Sequence, residues 1–151
     1  YYAYTLTNGT GCSNTQQVAV IVNPPTALSS SMTPTPICSN TAFTYLPTSN
    51  TLGTTFNWSR VAVAGISNTP SSGIGNPNEV LINTTTLPII ITYNYFMSTA
   101  NGCTNNQNVT IQVNPTPALT TTLTPADICS GTSFNYIDGR QTKIIAIDFD
   151  K

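Results

Sequence analysis

Charged side chains are scarce in this sequence, and histidine is missing altogether. Four Lys plus Arg and five Asp plus Glu are spread over 151 residues, whereas ordinary soluble domains are about a quarter charged. The chain therefore lacks the clustered positive charge that phosphate contacts require, which excludes nucleic acid as an expected partner. The absence of histidine excludes His-dependent catalytic triads and imidazole metal sites.

Neutral polar groups must therefore hydrate the surface, and Thr, Asn and Ser supply 58 of the 151 residues. At 39% hydrophobic the chain can still bury a core. Its longest apolar runs, residues 18–22 and 87–91, are too short to span a membrane. Four cysteines on a charge-poor chain favour an extracellular location, and we expect no cofactor and no metal.

An internal repeat organises the sequence. Residues 1–45 match residues 92–136 at a constant offset of 91, without a gap, and 20 of the 45 pairs are identical. This period is too long for a solenoid unit and indicates a compact module repeated in tandem. The identities include Tyr2 with Tyr93, Tyr4 with Tyr95, Gly11-Cys12 with Gly102-Cys103, Gln16 with Gln107, Val22-Asn23-Pro24 with Val113-Asn114-Pro115, and Ile37-Cys38-Ser39 with Ile128-Cys129-Ser130.

The two Val-Asn-Pro sites set the expected module boundaries, because proline ends a strand ladder and favours an extended joint. Residues 24–114 form one complete module in this interpretation. Residues 1–23 are then the last two strands of a preceding module, and residues 115–151 open a following one. We expect few contacts across the joints and a semi-rigid string of modules.

Strand signals dominate and no helical period is present. Residues 17–22 and 108–113 alternate between polar and apolar, and further strands are indicated around Phe43, Phe56, Val80 and Ile91. The fold class is therefore predicted as all-β, with antiparallel Ig-like or PKD-like sandwich modules of about 91 residues in tandem. We expect these side chains to face inward: Phe43, Phe56, Trp58, Val80, Ile82, Ile91, Tyr93, Val109 and Ile111.

Several runs resemble a known family. They are Ile37-Cys38-Ser39, residues 53–60 (GTTFNWSR), 73–76 (GIGN), 78–81 (NEVL) and 101–103 (NGC), followed by the Val-Asn-Pro joint. They resemble the tandem PKD-like, Ig-like repeats of SprB-like gliding-motility adhesins in type IX-secreting Bacteroidota. The resemblance implies a secreted, non-enzymatic spacer on the cell surface, repeated many times and used in adhesion or gliding motility.

Residues 137–151 depart from the repeat and are interpreted as diverged or foreign sequence. They hold six of the nine charged residues. Residues 143–150 (KIIAIDFD) resemble the opening strand of haloacid-dehalogenase phosphatases, with Asp148 as nucleophile and Asp150 as general acid. The Gly-Thr continuation and the α/β body of that family are missing, so we predict that the chain is not an enzyme.

Three side chains of the complete module have expected structural roles. Arg60 and Glu79 are its only charged residues and are predicted to form an ion pair. Trp58 is predicted to lie in the sandwich core, although with Tyr93 and Tyr95 it could instead form a platform for stacking sugars.

The four cysteines, Cys12, Cys38, Cys103 and Cys129, come as one pair per module, which suggests disulfide bonds. Cys38 and Cys103 are expected at opposite ends of their module, too far apart to bridge. A bond between neighbouring modules, and the in-chain pairs Cys12 with Cys38 and Cys103 with Cys129, stay open.

The leading functional hypothesis is a structural spacer in a long extracellular adhesin or filament. Its expected partners are neighbouring modules of the same or another copy of the chain, and surface polysaccharide is a further candidate. Because residues 1–23 and 115–136 would expose apolar faces, we expect another copy or further residues of a longer protein to complete them. The alternative is an accessory carbohydrate-binding Ig-like module of a secreted enzyme.

Overall fold

The computed structural model describes residues 1–119, 123–124 and 126–132. The described part of the chain contains no helix, which confirms the all-β prediction. Its nine strands are β1 (Tyr2–Thr7), β2 (Ser13–Val18), β3 (Ile37–Cys38), β4 (Thr41–Phe43), β5 (Thr55–Arg60), β6 (Ser71–Ile74), β7 (Glu79–Leu81), β8 (Ile89–Ser98) and β9 (Thr104–Asn114).

Residues 37–114 form two sheets that enclose one core. The larger sheet has five strands in the order β3-β9-β8-β5-β6, and the smaller pairs β4 with β7. The small sheet lies against the large one, because the ring of Phe43 on β4 is 5.1 Å from that of Tyr93 on β8. Aromatic rings therefore join the two layers.

The prediction of a purely antiparallel arrangement is wrong at one edge, where β3 pairs parallel with β9. The cause is the extended segment before β3. Leu28 donates its backbone N–H to Oε1 of Gln107 (2.6 Å), and the N–H of Thr110 donates to the carbonyl of Met32 (2.9 Å). Residues 24–36 thus run beside β9 in its own direction, so β3 joins that edge in parallel.

Strands β8 and β9 confirm the predicted alternation. Their inward side chains are completely buried, whereas the residues between them are mostly exposed. A one-residue shift would turn this whole set to water, so the pattern fixes the register. The buried set on these two strands is Ile91, Tyr93, Tyr95, Met97, Val109, Ile111 and Val113.

The prediction for β7 is wrong by one residue. Val80 and Ile82 are exposed, while Leu81 and Asn83 are buried and Glu79 is half-buried on the same side. The physical reason is the ion pair that Glu79 makes with Arg60, which draws the polar residue inward. Because side chains alternate along a strand, the neighbouring Val80 must then face outward.

A separate hairpin, β1–β2, precedes the module. It repeats the register of β8–β9 at the offset of 91, because Tyr2 pairs with Val18 as Tyr93 pairs with Val109. Every residue of β1 and β2 is nevertheless exposed. The side-chain hydrogen bond from Asn101 to Asn23 (3.3 Å) lies where the hairpin meets the module.

Candidate functional site

A polar cluster inside the module joins the two sheets. Arg60 ends β5, and its Nε and Nη2 donate to Oε2 and Oε1 of Glu79 at 2.9 Å each. Nη2 also donates to the carbonyl of Thr69 (2.6 Å), and the Tyr93 hydroxyl donates to Oε2 of Glu79 (2.6 Å). The predicted ion pair between Arg60 and Glu79 is therefore present, with the guanidinium group completely buried.

The electrostatics keep this cluster in one protonation state. Burial alone would raise the pKa of the Glu79 carboxyl, but the hydrogen bonds from Arg60 and Tyr93 outweigh burial and lower it. The hydrogen bond to Glu79 raises the pKa of Arg60, and burial followed by the Glu79 hydrogen bond raises that of Tyr93 far above its usual range. Both carboxylate oxygens already accept hydrogen bonds, so the cluster is built to hold the sheets together.

Trp58 lies in the core, with 6% of its surface exposed. The centroid of its ring lies 5.5 Å from that of Tyr93 in an edge-to-face arrangement, and Trp58 pairs with Gly73 of the neighbouring strand β6. A Cβ atom placed on Gly73 would come within 2.9 Å of the indole, so only glycine allows this close approach. Because Tyr93 and Tyr95 are also buried, the three rings form no exposed platform for sugars.

Asn83 is a structural residue that the sequence analysis missed. Its Nδ2 donates to the carbonyls of Leu87 (2.8 Å) and Val113 (2.9 Å), and its Oδ1 accepts from Thr85. Its backbone N–H donates to Oγ of Ser39 (3.0 Å). Asn83 thus joins the ends of β7, β9 and β3 through its side-chain amide and its backbone N–H. No sequence signal marks it, because it stands among many Asn, Ser and Thr residues.

The four cysteines are free thiols, so the expectation of disulfide bonds is not met within this chain. Cys38 pairs with Asn114 at the end of β9, whereas Cys103 precedes the first residue of that strand. Eleven residues of extended strand separate the two by about 35 Å, several times the separation that a disulfide allows. The objection to pairing Cys38 with Cys103 is thereby confirmed.

The turns of the two hairpins share one geometry. The N–H of Asn8 donates to the carbonyl of Cys12 (2.9 Å), and the N–H of Thr99 donates to that of Cys103 (3.0 Å). Gly11 and Gly102 both have positive φ, 86° and 79°, which glycine adopts without strain. The shared Gly-Cys pair therefore marks the same turn twice.

Asp148 and Asp150 lie outside the described residues. Within the described part of the chain, no group of three His, Cys, Asp or Glu side chains could hold a metal ion. The described residues also include no helix of the length and apolar character needed to cross a membrane.

Comparisons with protein-family models, with curated proteins and with solved structures give no match to this chain.

Proposed function

We propose that this chain is a structural spacer from a long extracellular cell-surface adhesin or filament, built of Ig-like, PKD-like modules in tandem. The observation that carries the proposal is the hairpin β1–β2, which repeats the register and turn of β8–β9 91 residues earlier. Repetition of the same supersecondary unit is expected of an array of modules.

The interior of the module supports a mechanical role. Its charged pair is fully engaged, and its aromatic rings pack against one another, as do the tilted rings of Tyr45 and Tyr95, whose centroids are 5.5 Å apart. Two facing β-layers around a buried Trp58 are also the arrangement typical of Ig-like sandwiches. The low charge and abundant hydroxyl and amide groups suit a hydrated extracellular surface.

Stretching the full chain by its two ends tests the spacer role. One cooperative unfolding event should release residues 24–114, lengthening the chain by roughly 300 Å at about 3.5 Å per residue. Many small steps, or extension without resistance, would contradict a single load-resistant module.

Antibody labelling tests the location. An antibody against this chain should bind intact cells that make the protein, and a requirement for permeabilised cells would contradict a surface role.

A glycan array tests the carbohydrate-binding alternative, which saturable binding by the full chain would favour.

A further inference from the structure

The hairpin presents an apolar face with no cover in the described structure. We call this surface the acceptor face, and it consists of Tyr2, Tyr4, Leu6, Val18, Val20 and Val22. Each of these residues is exposed, whereas its counterpart 91 residues later is completely buried. The contrast is greatest at Val22, which is 88% exposed while Val113 is 0% exposed.

The module shows which segment lies along the edge of its last strand, and Leu28 and Ile37 of that segment pack against the core. Nδ2 of Asn105 donates to the carbonyl of Thr26 (2.8 Å), and Oε1 of Gln107 accepts from the N–H of Leu28. Farther along, Ile37 pairs with Val113, and the N–H of Ser39 donates to the carbonyl of Asn114 (2.8 Å).

The chain carries a second version of this covering segment, and it too is exposed. Leu119 and Leu123 are the counterparts of Leu28 and Met32, and residues 126–132 are the counterparts of residues 35–41. Leu123 is 76% exposed, and Leu119 and Ile128 are about half exposed. We call Leu119, Leu123 and residues 126–132 the donor segment.

We propose that the donor segment of one copy of this chain binds the acceptor face and β2 edge of a second copy, in the register that residues 28–41 adopt on β9. The side chains that form the edge contacts are retained, because Asn14 and Gln16 are identical to Asn105 and Gln107. Ile128-Cys129-Ser130 is likewise identical to Ile37-Cys38-Ser39.

This register specifies individual contacts. Oε1 of Gln16 accepts from the N–H of Leu119, Ile128 pairs in parallel with Val22, and the N–H of Ser130 donates to the carbonyl of Asn23. The edge formed by β2 and residues 19–23 gains hydrogen bonds, while Leu119 and Ile128 pack against part of the acceptor face.

The geometry favours a second copy over the chain's own hairpin. Leu119 follows Asn114 by five residues, a reach of at most about 18 Å. The 11 residues of β9 place Asn114 about 35 Å from the turn beside which Asn23 lies. Donor and acceptor thus lie at opposite ends of the module, and head-to-tail contacts of this kind build open chains or rings.

Sedimentation of the full chain under reducing conditions tests the association. The neighbouring residues Ile21 and Val22 supply a test variant and its control. Association should rise with concentration beyond dimers. Val22→Asp should weaken it at least about tenfold, since burying one such side chain contributes about 1.5 kcal/mol or more. Ile21→Asp is the control, because Ile21 is equally exposed (86%) and its counterpart, Gln112, lies outside the completely buried set on β9.

Equal loss in the two variants would indicate unspecific adhesion and overturn the proposal. A wild-type chain that stays monomeric at every concentration tested would overturn it too. Fluorescence of Trp58 verifies in each variant that the module is folded, and Gln16→Ala, which removes one acceptor without adding charge, should weaken association in the same direction.

Complementation distinguishes head-to-tail binding from pairing of two hairpins. Val22→Asp weakens the acceptor and Ile128→Asp weakens the donor, so each alone should stay monomeric at concentrations at which the wild-type chain associates. Their mixture should form dimers that grow no further, because one intact donor meets one intact acceptor. Dimers of Ile128→Asp alone would overturn the proposal.

Cross-linking tests the register. Cys129 should lie beside Asn23 of the other copy, as Cys38 lies beside Asn114, and Asn23 contacts Asn101 near Cys103. In the mixture, the Ile128→Asp chain keeps only Cys103 and the Val22→Asp chain keeps only Cys129, with serine at the other cysteine positions. A short bis-maleimide should join the two chains, and heterodimers that resist cross-linking would overturn the register and the proposal. These outcomes do not depend on whether the protein is a surface spacer.

Discussion

The hairpins β1–β2 and β8–β9 have matching register and turns, yet one is exposed throughout and the other forms the centre of the core. Tyr4 is 59% exposed, whereas its counterpart Tyr95 is completely buried. Local sequence cannot account for this contrast, because the two tyrosines and the Gly-Cys turns are the same. The difference lies in what surrounds each hairpin.

Strand β8 has β5 on its free side, and β9 has β3 together with residues 24–36. Strands β1 and β2 pair only with each other among the described strands. An isolated two-stranded hairpin is marginally stable in water. The comparison therefore shows that pairing register is local, while stability comes from the covering layers.

Amide exchange gives the largest expected contrast. In dilute solution, where copies stay apart, matched amides in β9 should exchange at least about a thousandfold more slowly than those in β2, a difference of roughly 4 kcal/mol. Exchange in β9 requires unfolding of the module, whereas β2 opens alone. NMR-detected exchange at Val109 and Val18 measures the contrast, and comparable protection would show that the hairpin is already covered.

Removing matched aromatic side chains should give the next largest effect. Tyr95→Ala should lower the free energy of unfolding by about 3 to 5 kcal/mol, because it leaves a cavity in the core. Tyr4→Ala should change it by less than about 0.5 kcal/mol. Urea unfolding followed by Trp58 fluorescence measures the two values, and a large loss in Tyr4→Ala would place the hairpin within the module's cooperative unit.

The ion pair between Arg60 and Glu79 is a further difference between the two regions, because residues 1–23 have no charged side chain. Glu79→Gln leaves the buried guanidinium of Arg60 without its carboxylate and should cost about 3 kcal/mol of module stability. Asp127→Asn, at an exposed carboxylate, is the control. Urea unfolding gives the stability, and unchanged amide exchange in β1–β2 should accompany the loss in Glu79→Gln.

Acid should have a smaller effect in the same direction. The folded-state pKa of Glu79 lies below its ordinary value of 4.5, so its contribution is complete above that value and is lost as pH falls through the folded pKa. Module stability, from urea unfolding at a series of pH values, should therefore fall below about pH 4.5. Glu79→Gln should lack this dependence, and an equal acid response in that variant would assign it to other groups.

Much of the module was predictable where alternation and chemistry agree. Val109, Ile111 and Tyr93 are apolar or aromatic at every second position, and each is buried as predicted. The pairing of Arg60 with Glu79 followed from their being the module's only charges. The prediction for strand β7 was wrong because Glu79 turns inward to meet Arg60. These residues are 19 positions apart, and period-2 alternation along one strand gives no information about such a contact.

The parallel pairing of β3 and the role of Asn83 could not be predicted from the sequence either. Both depend on where residues 24–36 and the end of β9 lie in space. Strand signals identify an extended segment without giving its direction relative to a distant neighbour. A buried amide looks like a turn residue until its partners are known.

The sequence by itself determined the repeat, the all-β character, the hairpin register and the turn at each Gly-Cys pair, because these depend on side-chain alternation and local backbone geometry. Tertiary structure alone decided which hairpin is buried, which face of β7 turns inward and that β3 joins β9 in parallel. These outcomes depend on which strands lie beside one another, and that is set by the burial of apolar area and the pairing of Arg60 with Glu79 across the whole module.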